Sequence, residues 1–269
     1  MGAGYAVGSP CSPRPAGSAS SLGPAAVPWP ELREWRAAVM RAMEGHRSRE
    51  LVRHRAKLVS LRTNLKLQVY SVLAKEGVHV PMTDLFGVAG TAFLESVHLA
   101  PAHAARVESL RDLIEAFDRQ VQIFERDLRR ELAEHPGYHA IQAIPGVGPL
   151  FAAVFVAEIG DVTRFSSPAQ LCSWAGLTPR HRESDTTVRR GPITKQGSRL
   201  VRWAAVEAAQ RQAAGTKLRG DFTRITTNHG DTPGARKVAR VAVARKIVTI
   251  VYYGLRDGTI CSKAIEQAA

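Results

Sequence analysis

Apolar residues that recur at helical intervals predict a first long helix from Glu31 to about Glu76. Its apolar face consists of Leu58, Leu61, Leu65 and Val72. Gly77 and Pro81 supply the stop signals that end it. The segment between residues 33 and 66 is strongly basic, so this helix is expected to present a charged face to its surroundings.

A second long helix is predicted over residues 103–135, where apolar residues alternate steps of three and four. The positions are Val107, Leu110, Ile114, Phe117, Val121, Phe124 and Leu128. Two such helices joined by residues 78–102 predict either an antiparallel helical hairpin or half of an intermolecular coiled coil. The spacing alone favours neither alternative.

Shorter helices are predicted after residue 136, and strand signals are scarce. The expected helices are Tyr138–Ile144, Pro149–Ile159, a short one with Ser167 as N-cap and Pro168 in its first turn, Ser198–Ala214 and Ala235–Leu255. Gly160 is expected to be a left-handed C-cap, and residues 177–197 are expected to form a basic loop. The predicted fold class is therefore all-α.

Three domains follow from these patterns. Residues 1–30 are rich in Gly, Ala, Ser and Pro and predict a disordered segment, because they cannot bury enough apolar surface to offset the entropy of ordering. Residues 31–135 form the basic helical linker or coiled coil, and residues 136–258 form the C-terminal domain.

The stretch Pro145-Gly146-Val147-Gly148 interrupts an otherwise apolar helical segment. Two short helices that turn back within a few residues require positive φ or close backbone approach at glycine. The pattern predicts a helix-hairpin-helix motif, in which the backbone N–H groups of Gly146, Val147 and Gly148 bind DNA phosphate at a helix N-terminus. The alternative is a tight turn between packed helices that contacts no ligand.

The charge balance indicates a polyanionic partner, since 37 Lys and Arg against 24 Asp and Glu give a net charge of +13. Much of the excess lies just after the Pro-Gly-Val-Gly turn. Candidate phosphate-binding residues there are Arg180, Arg182, Arg189, Arg190, Lys195 and Arg199, followed by Arg202. A solvated charged loop is the alternative interpretation.

Ser184 lies within this basic segment, as a hydroxyl among guanidinium groups. A serine that attacks a phosphodiester requires such a setting, because cations neutralise the charge of the transition state. From chemistry alone, a turn or capping role is the more common one for such a serine.

Several classes of protein are disfavoured. No apolar run reaches the length of a membrane span, no secretory signal is evident, and the three cysteines are scattered, so a cytoplasmic protein without membrane contact is expected. No set of residues has metal-ligand spacing, and there is no P-loop or dinucleotide fingerprint. The chain is therefore expected to hold no metal or other cofactor of its own.

The segment from Ile144 to Ala209, with its run Gly-Leu-Thr-Pro-Arg and the later Gly-x-Ile-Thr-Lys-x-Gly, resembles the C-terminal domain of transposases of the IS110 insertion-sequence family. The resemblance is close over residues 138–215, and the basic helices upstream resemble that family's linker. It implies a recombinase that moves DNA by strand exchange, guided by a non-coding RNA, and that assembles as a homo-oligomer through its coiled coil.

The resemblance also implies residue roles. The serine of the family's C-terminal domain falls on Ser184, as candidate nucleophile, with the surrounding Arg residues holding the scissile phosphate. An N-terminal RuvC-like domain with four carboxylates would bind a divalent metal such as Mg. No Asp or Glu precedes Glu31, so two-metal chemistry cannot be built there. The expectation is a truncated chain or a misplaced start.

Three functions remain open at this point: an insertion-sequence transposase acting through Ser184, a non-catalytic nucleic-acid-binding remnant, and a helical dimerisation protein.

Overall fold

The computed structural model describes residues 29–184 and 187–260, with side chains described over 45–180 and 191–260. The chain divides into two compact units, Met1–Arg41 and Ala42–Ala269. Of the first unit, the described part is helical from Trp29. Of the segment predicted to be disordered, residues 1–28 lie outside the described residues. The packing reported below lies within the second unit.

The described elements are mostly helices. In chain order they are α1 (Trp29–Lys75), α2 (Val88–Ser96), α3 (Pro101–Glu131), α4 (Pro136–Gln142), α5 (Pro149–Ile159), a 3-10 turn (Val162–Arg164), α6 (Pro168–Trp174), β1 (Pro179–Ser184), β2 (Thr187–Ile193), α7 (Arg199–Gln210), α8 (Lys217–Asn228) and α9 (Pro233–Asp257). The predicted all-α class is confirmed, with one small sheet added. None of the described helices is long and apolar enough to cross a membrane.

Helices α1 and α3 form an antiparallel hairpin within one chain. Ser48 donates to Glu131 at 2.6 Å, and Arg55 donates to Glu125 at 2.7 Å, so the chain direction of α1 is opposite to that of α3. Five of the seven predicted heptad positions are buried, namely Val107, Leu110, Ile114, Val121 and Leu128. The apolar heptad positions of α3 therefore pack within the chain, as the antiparallel-hairpin alternative predicted.

The far end of this hairpin has its own apolar cluster. Its buried members are Val69, Val72, Leu73, Leu85, Leu94, Val107, Leu110 and Ile114. Helix α2 supplies Leu94, so the segment predicted as a compact connection caps the hairpin with a short helix.

The larger core lies in the C-terminal part of the chain, where α5 is buried from Phe151 to Ile159. Helix α9 packs against α4, α6, α7 and α8 and completes the enclosure. The predicted Ser167 cap is found, since its side chain accepts from the Gln170 N–H. Ser198, predicted as the first residue of its helix, is the N-cap of α7 and accepts from the Val201 N–H at 3.3 Å. Gly160 has the expected positive φ of 63°, but its ψ of −131° lies outside the left-handed helical region.

The predicted loop at residues 177–197 is wrong, because most of it forms an antiparallel β-hairpin. Residue 182 pairs with 189 and residue 184 with 187. Charged residues interrupt the alternation of apolar and polar residues that is typical of a strand, so the sequence did not predict strands here. Helix α8 was also missed, although Leu218, Phe222 and Ile225 recur in it at helical intervals. Two of its three buried residues, Asp221 and Thr226, are polar.

Candidate nucleic-acid interface

The turn between α4 and α5 has the backbone that its glycines predicted. Gly146 has φ +81°, in the region that glycine tolerates best. The Val147 N–H donates to the Ile144 carbonyl at 3.0 Å, and the Val147 side chain is buried. Gly148 is the N-cap of α5, is exposed, and has nothing within 4 Å of the position a Cβ would occupy.

This turn packs directly against α7, which the sequence did not predict. Gln212 Nε2 donates to the Pro145 carbonyl at 2.5 Å and to the Ala208 carbonyl at 2.8 Å. A Cβ on Gly146 would lie 2.5 Å from the Ala208 oxygen. The close approach that requires glycine at this position is therefore an approach to the protein's own helix.

Two guanidinium groups lie near the first turn of α5. Arg129 of α3 lines a cavity of about 220 Å³ together with Pro149 and Leu150. The Arg211 guanidinium, just after α7, lies 5.1 Å from the centroid of the Phe151 ring. The Gly148 N-cap has no side chain to bond the free N–H groups of this helix end. Glu125 lines the same cavity and pairs with Arg129 at 3.8 Å, so the charge of Arg129 is offset there. The Arg211 guanidinium adds positive charge beside the start of α5.

Ser184 ends β1, directly opposite Thr187 at the tip of the hairpin. Arg182 and Arg189 are paired two positions further from the tip, and Arg190 is paired with His181. The side chains of residues 181–190 lie outside the described part of the structure, so the predicted contact between Ser184 and the surrounding guanidinium groups stays a prediction. The register nevertheless assigns positions 182, 184, 187 and 189 to one face of the sheet.

The base of the hairpin is held by backbone hydrogen bonds. The Thr194 N–H donates to the Thr178 carbonyl at 2.9 Å, and the Lys195 N–H donates to the Gly176 carbonyl at 3.1 Å. Arg180 Nη2 donates to the Thr194 carbonyl at 3.4 Å. Two of the predicted phosphate-binding residues, Arg180 and Lys195, therefore flank the point where the hairpin leaves the helical core.

Arg202 has a structural role that the sequence did not reveal. Its Nη1 donates to three backbone carbonyls, at 3.0 Å to Ala175, 2.6 Å to Gln196 and 3.2 Å to Gly197. Burial, with a smaller contribution from the charge of Arg199, lowers the pKa of Arg202. Arg202 joins the end of α6 to the segment between β2 and α7.

Glu158 is a second residue that sequence reasoning missed. Its side chain is buried within the apolar helix α5, where an unpaired carboxylate would be costly. Arg53 Nε donates to Glu158 Oε1 at 2.8 Å, and Ser198 Oγ donates to Glu158 Oε2 at 2.9 Å. The one signal was an acidic residue inside the run Ala-Ala-Val-Phe-Val-Ala-Glu-Ile. Its partners, on α1 and before α7, could not be read from spacing.

Residues 138–222, from α4 into α8, match the family model described as Transposase IS116/IS110/IS902 family. This part of the chain is similar to an IS110-family transposase domain. The match confirms the resemblance inferred from the Gly-Leu-Thr-Pro-Arg and Gly-x-Ile-Thr-Lys-x-Gly runs, both of which lie inside it.

Relatives of this transposase domain carry names consistent with the match. An insertion element IS110 uncharacterized 43.6 kDa protein of Streptomyces coelicolor is 28% identical over 234 residues, covering 87% of this chain and 52% of the relative. The transposase for insertion sequence element IS1328 of Yersinia enterocolitica is 25% identical, covering 81% of this chain and 64% of the relative. A pilin gene-inverting protein of Moraxella bovis is 29% identical, covering 47% and 39%. The chain thus spans about half the length of the relatives it matches.

The two predicted interface regions lie apart within the transposase domain. The Pro145–Gly148 turn contacts the end of α7 at Ala208 and Gln212, whereas the hairpin base lies near the start of α7 at Ser198 and Arg202. Helix α7 has 12 residues, which corresponds to about 18 Å. Sequence proximity had suggested one cluster, but the fold arranges the two regions at opposite ends of one helix.

Proposed function

We propose that this chain belongs to an insertion-sequence transposase that binds DNA and takes part in strand cleavage and exchange, with Ser184 as the nucleophile. The observation that carries the proposal is the transposase-domain match over residues 138–222. This range includes the β-hairpin, with Ser184 near its tip. Relatives named as transposases and as a gene-inverting protein support a role in DNA rearrangement.

The proposed reaction is attack of Ser184 Oγ on a DNA phosphorus atom. A bond forms between Oγ and phosphorus, the bond from phosphorus to one sugar oxygen breaks, and the hydroxyl proton passes to solvent while the departing sugar oxygen is protonated. The cations on and beside the hairpin would stabilise the charge on the phosphate oxygens. They are Arg180, Arg182, Arg189, Arg190, Lys195 and Arg199.

The wider partners are part of the same proposal. Gly146 and Gly148 would contact DNA phosphate through backbone N–H groups at the start of α5. The third residue predicted for this contact, Val147, instead donates its N–H to the Ile144 carbonyl at 3.0 Å. The net charge of +13 suits both DNA and a guide RNA. Self-association would use the outer faces of the α1–α3 hairpin, and action on DNA implies a cytoplasmic location.

Metal chemistry does not enter the steps assigned to this chain. Among the described residues, no three His, Cys, Asp or Glu side chains lie close enough to hold a metal ion. A divalent metal such as Mg enters the proposal through the RuvC-like carboxylate domain that the family resemblance implies.

A covalent protein–DNA adduct tests the proposal. The purified chain is incubated with labelled duplex DNA taken from the junctions flanking its own gene, with and without RNA from the same locus, and resolved under denaturing conditions. We expect an adduct with the wild-type chain and none with Ser184→Ala. Thr187→Ala, opposite Ser184 in the register, is the matched control and should retain the adduct.

The other functions predict different results. A non-catalytic nucleic-acid-binding protein would bind the DNA in a salt-dependent manner and form no adduct in any variant. A helical dimerisation protein would sediment as a dimer and bind no nucleic acid at low salt. An adduct of equal yield in Ser184→Ala would remove Ser184 from the mechanism.

A further inference from the structure

Trp203 is an exposed aromatic side chain on the outer face of α7. It is 38% exposed, although tryptophan is among the most buried residues on average. Its ring contacts the Phe151 ring edge-to-face, with centroids 5.3 Å apart and planes at 88°. Phe151 is itself buried in the first turn of α5, so the indole is supported from below by the core of the domain.

Cationic groups flank this indole. Arg199 lies one helical turn before Trp203 and is exposed. On the other side, the guanidinium of Arg211 lies over the same Phe151 ring that Trp203 contacts, at 5.1 Å from its centroid. Glu207 is the one acidic residue of α7, and it is half-buried and accepts a hydrogen bond from Gln210.

Trp203 lies between the two regions of the candidate interface. It lies between Ser198, near the hairpin base, and Ala208, where the Pro145–Gly148 turn packs. On the helical repeat, Arg199, Trp203, Val206 and Gln210 share one face. A strand that contacts both the hairpin and the start of α5 would pass along this face.

We propose that Trp203 is a stacking platform for an unpaired nucleobase, with Arg199 and Arg211 binding the phosphates on either side. Aromatic rings bind unstacked bases of single-stranded nucleic acid, whereas bases within a duplex have both faces covered by their neighbours. The flanking guanidinium groups favour nucleic acid over a protein partner at this surface. The inference rests on the proposed nucleic-acid-binding function and adds a preference for unpaired segments.

Equilibrium binding to two nucleic acids tests this inference. The full chain is titrated with a short single-stranded DNA and with a blunt duplex of the same sequence, at one fixed salt concentration. Trp203→Ala should weaken single-strand binding about tenfold or more and change duplex binding less than twofold. Trp203→Phe, which keeps an aromatic face, should restore most of the single-strand affinity.

A matched control is Val238→Ala on α9, another exposed large apolar residue, which should leave both affinities unchanged. Circular dichroism confirms that each variant is folded. The inference fails if Trp203→Ala leaves single-strand binding intact or weakens both nucleic acids equally. It also fails if the substitution changes the oligomeric state in sedimentation, since Trp203 would then lie at a protein interface. Absence of binding to either nucleic acid by the wild-type chain would instead overturn the proposed function itself.

Discussion

Gly146 shows how one residue is constrained by both its backbone and its neighbours. Its φ of +81° disfavours any side chain, and a Cβ would lie 2.5 Å from the Ala208 carbonyl oxygen. These two effects act together, because the residue is pressed against α7 in a conformation that glycine alone adopts readily.

We therefore expect Gly146→Ala to lower the free energy of unfolding by about 2 kcal/mol or more, from the positive φ and the overlap combined. Urea unfolding measures this loss. Gly148→Ala is the control in the same turn, where the Cβ position is open and φ is −84°, and it should cost less than about 1 kcal/mol. Equal losses at the two positions would contradict the packing of the turn against α7.

His135 caps α4 with its Nδ1 atom, which accepts from the Tyr138 N–H at 3.1 Å. Burial is the main cause that lowers the pKa of His135 in the folded protein. Because the folded pKa lies below the unfolded value of about 6.5, this stabilisation is present above pH 6.5 and is lost as the pH falls through the folded pKa. A protonated Nδ1 cannot accept the hydrogen bond.

The unfolding free energy of the wild-type chain should accordingly fall more between pH 8 and pH 5 than that of His135→Asn, whose side chain caps a helix without titrating. The comparison between the two proteins isolates His135 from the other histidines. Parallel pH profiles for the two would show that the cap does not depend on the protonation of His135.

Among the elements, the β-hairpin depends on Arg202 for its attachment to the helical core. Three backbone carbonyls from two segments receive hydrogen bonds from one guanidinium nitrogen. Lysine retains the charge, but its side chain is one bond shorter than the path to Nη1, so its ammonium falls short of these acceptors.

Arg202→Lys is expected to destabilise the fold by about 1–2 kcal/mol, through the loss of charged hydrogen bonds. Amide hydrogen exchange should accelerate at Thr194 and Lys195, whose N–H groups close the base of the hairpin. The exposed Arg199, three residues earlier, provides the control, and Arg199→Lys should leave both exchange rates unchanged.

The α1–α3 hairpin is stabilised by its buried heptad positions. Leu110 is 7% exposed within the apolar cluster at the far end, whereas Leu113 on the same helix is 46% exposed. Leu110→Ala should therefore cost about 2–5 kcal/mol, and Leu113→Ala less than about 1 kcal/mol. Thermal unfolding of the two variants decides between this packing and one in which both leucines face a partner.

At the scale of the whole molecule, the net charge should govern the proposed binding to nucleic acid. With a net charge of +13, the logarithm of the binding constant should fall linearly with the logarithm of salt concentration. Arg199→Gln should reduce the steepness of that dependence by about one phosphate contact, and Ser184→Ala should leave it unchanged. Binding that does not respond to salt would show that the charge excess has no part in recognition.

The features that could be predicted are those set by residues close together in the chain. Helical spacing indicated α1, α3, α5 and α9, and the caps at Ser167 and Ser198 follow from residues within three positions of the helix start. The family resemblance could also be read directly, since its runs are contiguous. The hairpin escaped prediction because its strands do not alternate apolar and polar residues. Helix α8 could have been predicted, since Leu218, Phe222 and Ile225 recur at helical intervals.

By itself, the sequence determined the all-α class, the glycine turn at residue 146 and the transposase resemblance. It also predicted that two long helices pair, either within one chain or between chains. Tertiary structure alone showed that the two long helices pack against each other within the chain and that the turn packs against α7. Glu158 bonds Arg53, 105 residues away, and Ser198, 40 residues away. Packing selects such partners, because the energy of a buried polar group depends on which distant elements the fold brings to it, and no local pattern records that choice.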